Sequence, residues 1–227
     1  MEGEPAVAVS HAVDDATPAS SLTDRAYREL EEMIATLQLR PGEVLSEAGL
    51  MQRLGIGRTP IREALQKLAM EGMVLILPRR GILVPEINVG QQLDLLDVRR
   101  ELERFVARRA AVRTTKVERE AFAELASALE ASADADDDIG FMRLDRRFNA
   151  MLLDAARNEF AARSMRLMQG LSRRFWYQHY QTVLDLPRCA RLHADVARAI
   201  GQGDGQRAAA ASDALIDYIE EFARATL

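Results

Sequence analysis

Three polar side chains recur at four-residue spacing in the segment after Gly57, namely Arg58, Arg62 and Gln66. Residues four apart lie on one face of a helix, so these side chains form a single stripe. Arginine recognises guanine, and glutamine recognises adenine, through paired hydrogen bonds in the major groove of DNA. Thr59 lies where the helix begins, and backbone N–H groups at a helix start attract phosphate. The stripe therefore indicates a helix that reads DNA.

A second basic group, Arg79-Arg80-Gly81, lies between the apolar runs 73–77 and 82–84. Two short apolar runs around a glycine-containing turn predict a β-hairpin. The tip of the hairpin carries both arginines, and a glycine lets the backbone approach DNA closely. We expect Arg79, Arg80 and Gly81 to make a second contact with DNA.

Helices in front of the hairpin must position these residues. Apolar residues at three- and four-residue steps predict a first helix from Ser21. Ser46 and Thr59 are predicted to cap a second and a third helix, and Pro60 is predicted at the first position of the third. The three helices are predicted to end at Arg40-Pro41-Gly42, Gly55 and Gly72. Three short helices followed by a hairpin predict a winged helix-turn-helix domain over residues 21–85.

The remaining sequence is helical in pattern or has no pattern. Residues 1–20 show no period and are predicted to be a disordered tail, and residues 86–90 are predicted to be a linker. An all-helical bundle is predicted over residues 91–227. Its helices are predicted at about 90–113, 116–132, 138–157, 160–182, 188–202 and 204–226. The expected fold class is mainly α, a winged helix-turn-helix followed by a helical bundle.

The charge of the chain is unevenly distributed. The 227 residues include 30 basic and 35 acidic side chains, a net charge of −5. Four of the acids lie in residues 1–21, which contain no lysine or arginine, whereas residues 22–84 carry a net charge of +1. Affinity for DNA must then come from where the arginines of the third helix and the hairpin are placed. We expect acids to be kept off that face.

Several classes of protein are excluded by composition. The single cysteine, Cys189, excludes a disulfide framework and a cysteine-based zinc finger, and it favours a reducing compartment. No apolar run approaches the roughly 20 residues that span a membrane. The N-terminus lacks the pattern of a secretory signal. We expect a cytoplasmic protein with no membrane partner.

The first domain resembles the DNA-binding domain of the GntR family of bacterial regulators. The motifs that carry the resemblance are Leu39-x-Pro41-Gly42-x-x-Leu45-Ser46-Glu47, Leu54-Gly55-Ile56-Gly57-Arg58-Thr59-Pro60-Ile61-Arg62-Glu63-Ala64-Leu65 and Leu68-x-x-Glu71-Gly72-Met73-Val74. The residues that the resemblance implies face the operator are Gly57, Arg58, Thr59, Pro60 and Arg62, with Gly81 in the minor groove. Gly57 stands where the family usually has Ser or Thr, and Ala48 where it often has Arg or Glu. The operator sequence therefore cannot be transferred.

The helical half resembles the FCD branch of the same family. The matching motifs are Val98-Arg99-Arg100-Glu101-Leu102-Glu103, Asp145-x-x-Phe148-Asn149, Ala156-Arg157-Asn158, Arg191-Leu192-His193 and Ala199-Ile200-x-x-Gly203-Asp204-x-x-x-Ala208. The branch commonly holds a divalent metal with one aspartate and three histidines. The positions of this chain that align with those ligands are Asp145, Asn149, His193 and Leu215. Asparagine is a poor ligand and leucine is none, so we expect no metal cofactor, with a metal held weakly by Asp145 and His193 as the alternative.

The resemblance places an effector site inside the bundle, and we expect a small organic acid there. The residues expected to line the site are Arg99, Asp145, Asn149 and His193. Arg99 suits a carboxylate because its planar fork donates two parallel hydrogen bonds. The alternative for Arg99 is a surface salt bridge with Glu103, four residues on. The aromatic-rich segment 172–180 belongs to this pocket, to a dimer seam or to the core, and its pattern does not distinguish them.

Together, these features imply a ligand-responsive transcription regulator, not an enzyme, acting as a homodimeric repressor. Two recognition helices on a two-fold axis would read a short pseudo-palindromic site in double-stranded DNA. One alternative is a DNA-binding regulator whose helical domain is purely structural. Another is a helical-bundle metalloenzyme, which would need a complete set of ligands.

Overall fold

The computed structural model describes residues 21–135, 137–183 and 185–227. The tail predicted for residues 1–20 lies outside the described residues. Within them every regular element is a helix apart from three short strands, which confirms the mainly helical fold expected from the sequence. No helix in the described ranges is long and apolar enough to cross a membrane.

Three helices precede the hairpin, namely α1 (Leu22–Ala35), α2 (Glu47–Leu54) and α3 (Arg58–Met70). Ser21 and Ser46 cap α1 and α2, because their hydroxyls accept hydrogen bonds from backbone N–H groups three residues on. Apolar side chains spaced three and four apart on α1 and α3 meet in a common core. Its buried members include Leu30, Ile34, Ile61, Leu65 and Leu68. The hydrophobic pattern therefore fixes which side of α3 remains outside.

The start of α3 differs from the sequence prediction. Thr59 as the N-cap is wrong, because the cap is Gly57, whose backbone is extended, and the helix already begins at Arg58. Gly57 has no side chain, so no side-chain hydrogen bond caps the first turn of α3. Thr59 lies within that turn and is exposed. Pro60 is the third residue of α3 and not the first, as the sequence predicted.

A small antiparallel sheet completes this half of the molecule. It consists of β1 (Val44–Leu45), β2 (Leu75–Leu77) and β3 (Gly81–Leu83), in the order β1-β3-β2. The sequence prediction lacks β1, because two residues are too few to show an alternating pattern. Gly81 has φ +107°, and a Cβ there would lie 2.6 Å from the carbonyl oxygen of Leu45. Glycine at this position is thus required by the pairing of β3 with β1.

The second half consists of long helices. They are α4 (Val89–Arg113), α5 (Lys116–Ala135), α6 (Asp138–Ala156), α7 (Glu159–Val183), α8 (Leu186–Gly201) and α9 (Gly205–Arg224). The helix α4 begins inside the linker predicted for 86–90, and α5 extends beyond its predicted end at 132. Asp137, Asp185 and Asp204 cap α6, α8 and α9 by accepting a hydrogen bond from the N–H three residues on.

Residues on α7 hold the two halves together. Gly170 lies so close to Met73 that a Cβ at position 170 would be 2.9 Å from the Met73 sulfur. Leu171 packs against the core of the winged-helix half, and the buried guanidinium of Arg174 donates a hydrogen bond to the carbonyl oxygen of Pro85. One short stretch of α7 therefore fixes the bundle to the winged-helix half.

Candidate functional site

The polar stripe predicted on α3 is exposed along its length. Arg58, Arg62 and Gln66 all face outward, opposite the buried Ile61 and Leu65. The side chains of Arg58 and Arg62 are 68% and 57% exposed. The structure therefore gathers the three side chains on one accessible face, as the spacing predicts.

An acidic residue lies on this face, so the expectation that acids are kept off it is wrong. The Nε of Arg62 donates to both carboxylate oxygens of Glu47, at 2.8 and 3.0 Å. The Nε of Arg58 lies 3.5 Å from the same carboxylate. Glu47 is the first residue of α2, where the helix dipole favours a negative charge. It lies between the two arginines and orders both.

The hairpin tip presents the second basic group. Arg79 and Arg80 lie in the turn between β2 and β3, with Arg79 in a left-handed conformation at φ 62°, and Gly81 is the first residue of β3. The N–H of Arg80 donates to the carbonyl oxygen of Leu77 at 3.0 Å, which closes the turn. Both arginine side chains are exposed, and neither has an ion-pair partner among the described residues. They are the least constrained cations of the candidate DNA-binding surface.

A cavity of about 440 Å³ lies between α7 and its neighbours, and it reaches α1 of the winged-helix half. All four residues that the resemblance assigns to the effector site line it: Arg99, Asp145, Asn149 and His193. They come from α4, α6 and α8, which converge on α7. Aromatic side chains of the segment 172–180, Phe175, Trp176 and Tyr177, also line it, and Phe175 is buried as well.

His193 and Asp145 form a polar pair in the wall of the cavity. The Nε2 of His193 lies 3.1 Å from Asp145 Oδ1, and its Nδ1 lies 2.8 Å from the carbonyl oxygen of Cys189. Burial alone would lower the pKa of His193, but the Cys189 side chain and the hydrogen bond and charge of Asp145 raise it well above its usual value. An imidazolium that donates both N–H groups satisfies this geometry.

The pKa of Asp145 is shifted in the opposite direction, below its usual value. Burial would raise its pKa, but the hydrogen bond and charge of His193 outweigh burial and lower it. The positive charges of Arg99 and Arg173 act in the same sense. The carboxyl group is therefore ionised and paired with a charged histidine at neutral pH.

Of the four positions that align with the branch's usual metal ligands, only Asp145 and His193 carry good ligand types. The amide Nδ2 of Asn149 donates to Asp145 Oδ1 at 3.0 Å, and His193 occupies the same oxygen. Leu215 is buried in the hydrophobic core and has no donor atom. No group of three His, Cys, Asp or Glu side chains suited to a metal ion occurs among the described residues. The atoms that a metal would need are engaged with one another.

The salt bridge between Arg99 and Glu103 is present, although it is not on the surface. The Nε of Arg99 donates to Glu103 Oε1 at 2.7 Å, and Nη2 contacts the same oxygen. The Arg99 and Glu103 side chains are only 12% and 6% exposed. Arg99 therefore lines the cavity with part of its fork already occupied.

Sequence reasoning missed the contribution of α7 and α1 to the cavity. Gln169, Ser172 and Arg173 line it from α7, and Tyr27 and Glu31 line it from α1. In the part of the chain that the structure describes, the buried amide nitrogen of Gln169 and hydroxyl of Ser172 have no hydrogen-bond partner. Their spacing of three and four residues was visible in the sequence, but no motif distinguished it from an ordinary helix face.

An exposed recognition helix and wing, joined to a helical domain that encloses a cavity, define a two-domain DNA-binding transcription regulator. Residues 22–84 match the family described as bacterial regulatory proteins, gntR family, and residues 94–218 match the FCD domain. The chain belongs to the GntR family, in the branch with an FCD domain. Regulators of this kind bind operator DNA and take a ligand in the FCD domain.

Individual relatives agree with this assignment. The HTH-type transcriptional repressor RspR of Escherichia coli K12 is 27% identical over 205 residues, which cover 90% of this chain and 89% of the relative. A regulator from the TAR-I ttuE-ttuC' intergenic region of Agrobacterium vitis is 30% identical over 156 residues, covering 67% and 91%. The solved structure of E. coli McbR/YncC has the same fold, with a TM-score of 0.79 at 19% identity over 91% of this chain and 99% of that one. The two sequence relatives are described as HTH-type transcriptional regulators and not as enzymes.

Proposed function

We propose that this regulator is a cytoplasmic, homodimeric repressor that a small organic acid releases from its operator. The observation that carries the proposal is the cavity, whose α7 wall also contacts the winged-helix half. A ligand in the cavity thus touches the helix that sets the position of the recognition helix. RspR, which matches over most of this chain, is itself described as a repressor.

The charges around the cavity favour an anion. The arginines that line it are Arg99, Arg146, Arg166 and Arg173, and the acids are Glu31, Asp145 and Asp154. His193 adds a positive charge, because its pKa lies well above the usual value. Aromatic side chains such as Phe141 and Trp176 provide apolar walls. A small acid with an apolar portion therefore matches both the charge and the lining.

Release from DNA requires only that the acid bind the two forms of the regulator with different affinity. In a homodimer, two recognition helices must meet the major groove about 34 Å apart, one turn of DNA. A small rotation of each winged-helix half about α7 changes that spacing. We propose that the acid favours a spacing that does not match the operator.

The proposal is tested first in the cell and then with purified protein. Genome-wide capture of DNA bound by the full chain identifies the operator, and deletion of the gene should raise transcription next to it. The captured fragment should bind purified protein as a dimer in fluorescence anisotropy, and an acid related to the regulated genes should reduce the affinity. A fall in transcription on deletion contradicts a repressor. Binding that no such acid changes supports a purely structural bundle instead.

A further inference from the structure

Three residues of α7 that carry hydrogen-bond donors line the cavity. Gln169, Ser172 and Arg173 lie at three- and four-residue spacing, so they share one face of the helix, and all three line the cavity. The amide nitrogen of Gln169 and the hydroxyl of Ser172 are buried and have no hydrogen-bond partner among the described residues. Buried polar groups are almost always hydrogen-bonded. Two unsatisfied donors beside a guanidinium indicate a place for a ligand oxygen that accepts hydrogen bonds.

Arg173 links this face of α7 to the DNA-binding half. Its Nη1 donates to both carboxylate oxygens of Glu31 on α1, at 2.8 Å each. The Glu31 side chain is 13% exposed, so the ion pair is well shielded from solvent. The Nε and Nη2 of Arg173 have no hydrogen-bond partner among the described residues. Arg173 therefore holds α1 with one nitrogen and retains donors for a second anion.

The opposite wall offers a carboxylate fewer free donors. The Nε2 of His193 and the Nδ2 of Asn149 both lie against Asp145 Oδ1, at 3.1 and 3.0 Å. The Nε of Arg99 donates to Glu103. A carboxylate in the cavity therefore has more unpartnered donors within reach on the α7 side.

Resting on the proposed function, we propose that the carboxylate of the effector binds at Gln169, Ser172 and Arg173, and that it competes with Glu31 for Arg173. The site lies at the boundary of the two domains, and α1 forms part of it. Binding of the acid weakens the ion pair that fastens α1 to α7. The same side chain thus recognises the ligand and holds the DNA-binding half in place.

The test compares full-length variants in thermal shift and calorimetry with four named acids: benzoate, phenylacetate, succinate and citrate. Benzamide and phenylacetamide serve as neutral analogues. The first variant combines Gln169→Leu with Ser172→Ala, and its control is Arg163→Ala, an exposed residue of α7 that does not line the cavity. The second variant is Glu31→Gln, and its control is Glu29→Gln, which lies on α1 outside the cavity.

We expect at least one of the four acids, and neither benzamide nor phenylacetamide, to raise the melting temperature of the wild type. The double variant should lose roughly ten-fold or more in affinity for that acid, because hydrogen bonds to a charged group are removed. Its ligand-free melting temperature should not fall, because two unsatisfied buried groups disappear. Glu31→Gln should increase the affinity by up to about five-fold, because Arg173 is released from an ion pair. Both control variants should bind like the wild type.

The outcomes separate this inference from the proposed function. An acid that binds the wild type and the double variant equally, or that Glu31→Gln binds less tightly, overturns the α7 site and leaves an acid-controlled regulator intact. If none of the four acids stabilises the wild type, the organic-acid effector itself is contradicted, and this site falls with it. A double variant that melts far below the wild type without ligand shows that Gln169 and Ser172 serve the fold, which also overturns the site.

Discussion

Replacing Asp145 with asparagine should remove a specific part of the pH dependence of stability. The pKa of His193 in the folded protein is raised. Its contribution to the free energy of unfolding is therefore complete below the unfolded pKa of about 6.5, and it is lost as the pH rises through the folded pKa. The pKa of Asp145 is lowered, so its contribution is present above about 3.9 and is lost as the pH falls through the folded pKa. Both contributions are therefore present between about pH 4 and 6.5.

The size of the effect follows from the geometry of the pair. One charged hydrogen bond of 3.1 Å joins the two groups, and the Asp145 side chain is 25% exposed. A hydrogen bond to a charged group contributes about 1.5–3 kcal/mol, and partial exposure favours the lower end. For a chain of this length each kcal/mol corresponds to about 2–4 °C in melting temperature. Asp145→Asn should therefore melt roughly 3–6 °C below the wild type near pH 6.

The difference should shrink at alkaline pH. Once His193 is neutral, its Nε2 accepts a hydrogen bond, which the amide of the substituted asparagine can donate. Melting followed by circular dichroism from pH 5 to 9 measures this difference. Asp154→Asn is the control, since Asp154 also lines the cavity but is exposed. A difference in melting temperature between the wild type and Asp145→Asn that is the same at every pH would refute the charged pair.

Three further predictions concern the DNA-binding surface. Replacing both Arg58 and Arg62 with alanine should weaken operator binding. It should also reduce by about 2 the slope of log affinity against log salt concentration, measured by anisotropy at several salt concentrations. An unchanged slope contradicts the assignment of α3 as the DNA-binding helix. Glu47→Gln should strengthen binding to non-specific DNA, since the arginines lose a competing anion. Tighter binding to the operator alone would contradict the idea that Glu47 acts as a competing anion. Gly81→Ala should destabilise the protein by about 1–3 kcal/mol through backbone strain alone and by more through contact with Leu45. Chemical denaturation measures that cost, and a neutral effect shows that β1 and β3 can separate freely.

The sequence predicted those features that repeat along a helix. The stripe of Arg58, Arg62 and Gln66 follows from a four-residue period, and the structure exposes it as a face. The prediction of the α3 N-cap was wrong because Thr59 has the stronger capping propensity, whereas Gly57 has the extended backbone that an N-cap needs. The strand β1 was missed because its pairing with β3 joins residues far apart in the chain.

The residues of the cavity were likewise predicted only in part from the sequence. Asp145, Asn149 and His193 were placed by resemblance, and they meet as three helices converge. The contact of His193 with Asp145 and the burial of Glu103 depend on the packing of those helices. No sequence pattern marks Gln169, because the feature that singles it out is a buried nitrogen without a hydrogen-bond partner, which only the structure shows. A pattern shows which residues share a face, but the neighbours of that face come from the fold.

The participation of α1 in the cavity has a practical consequence for the search for an effector. Tyr27, Glu31, Ala35 and Thr36 form part of its lining, although they belong to the winged-helix half. A fragment that begins at α4 would have an open trough in place of an enclosed site, and its donors on α7 would face water. Screens on such a fragment would underestimate affinity, so ligand discovery for this regulator should use the intact chain.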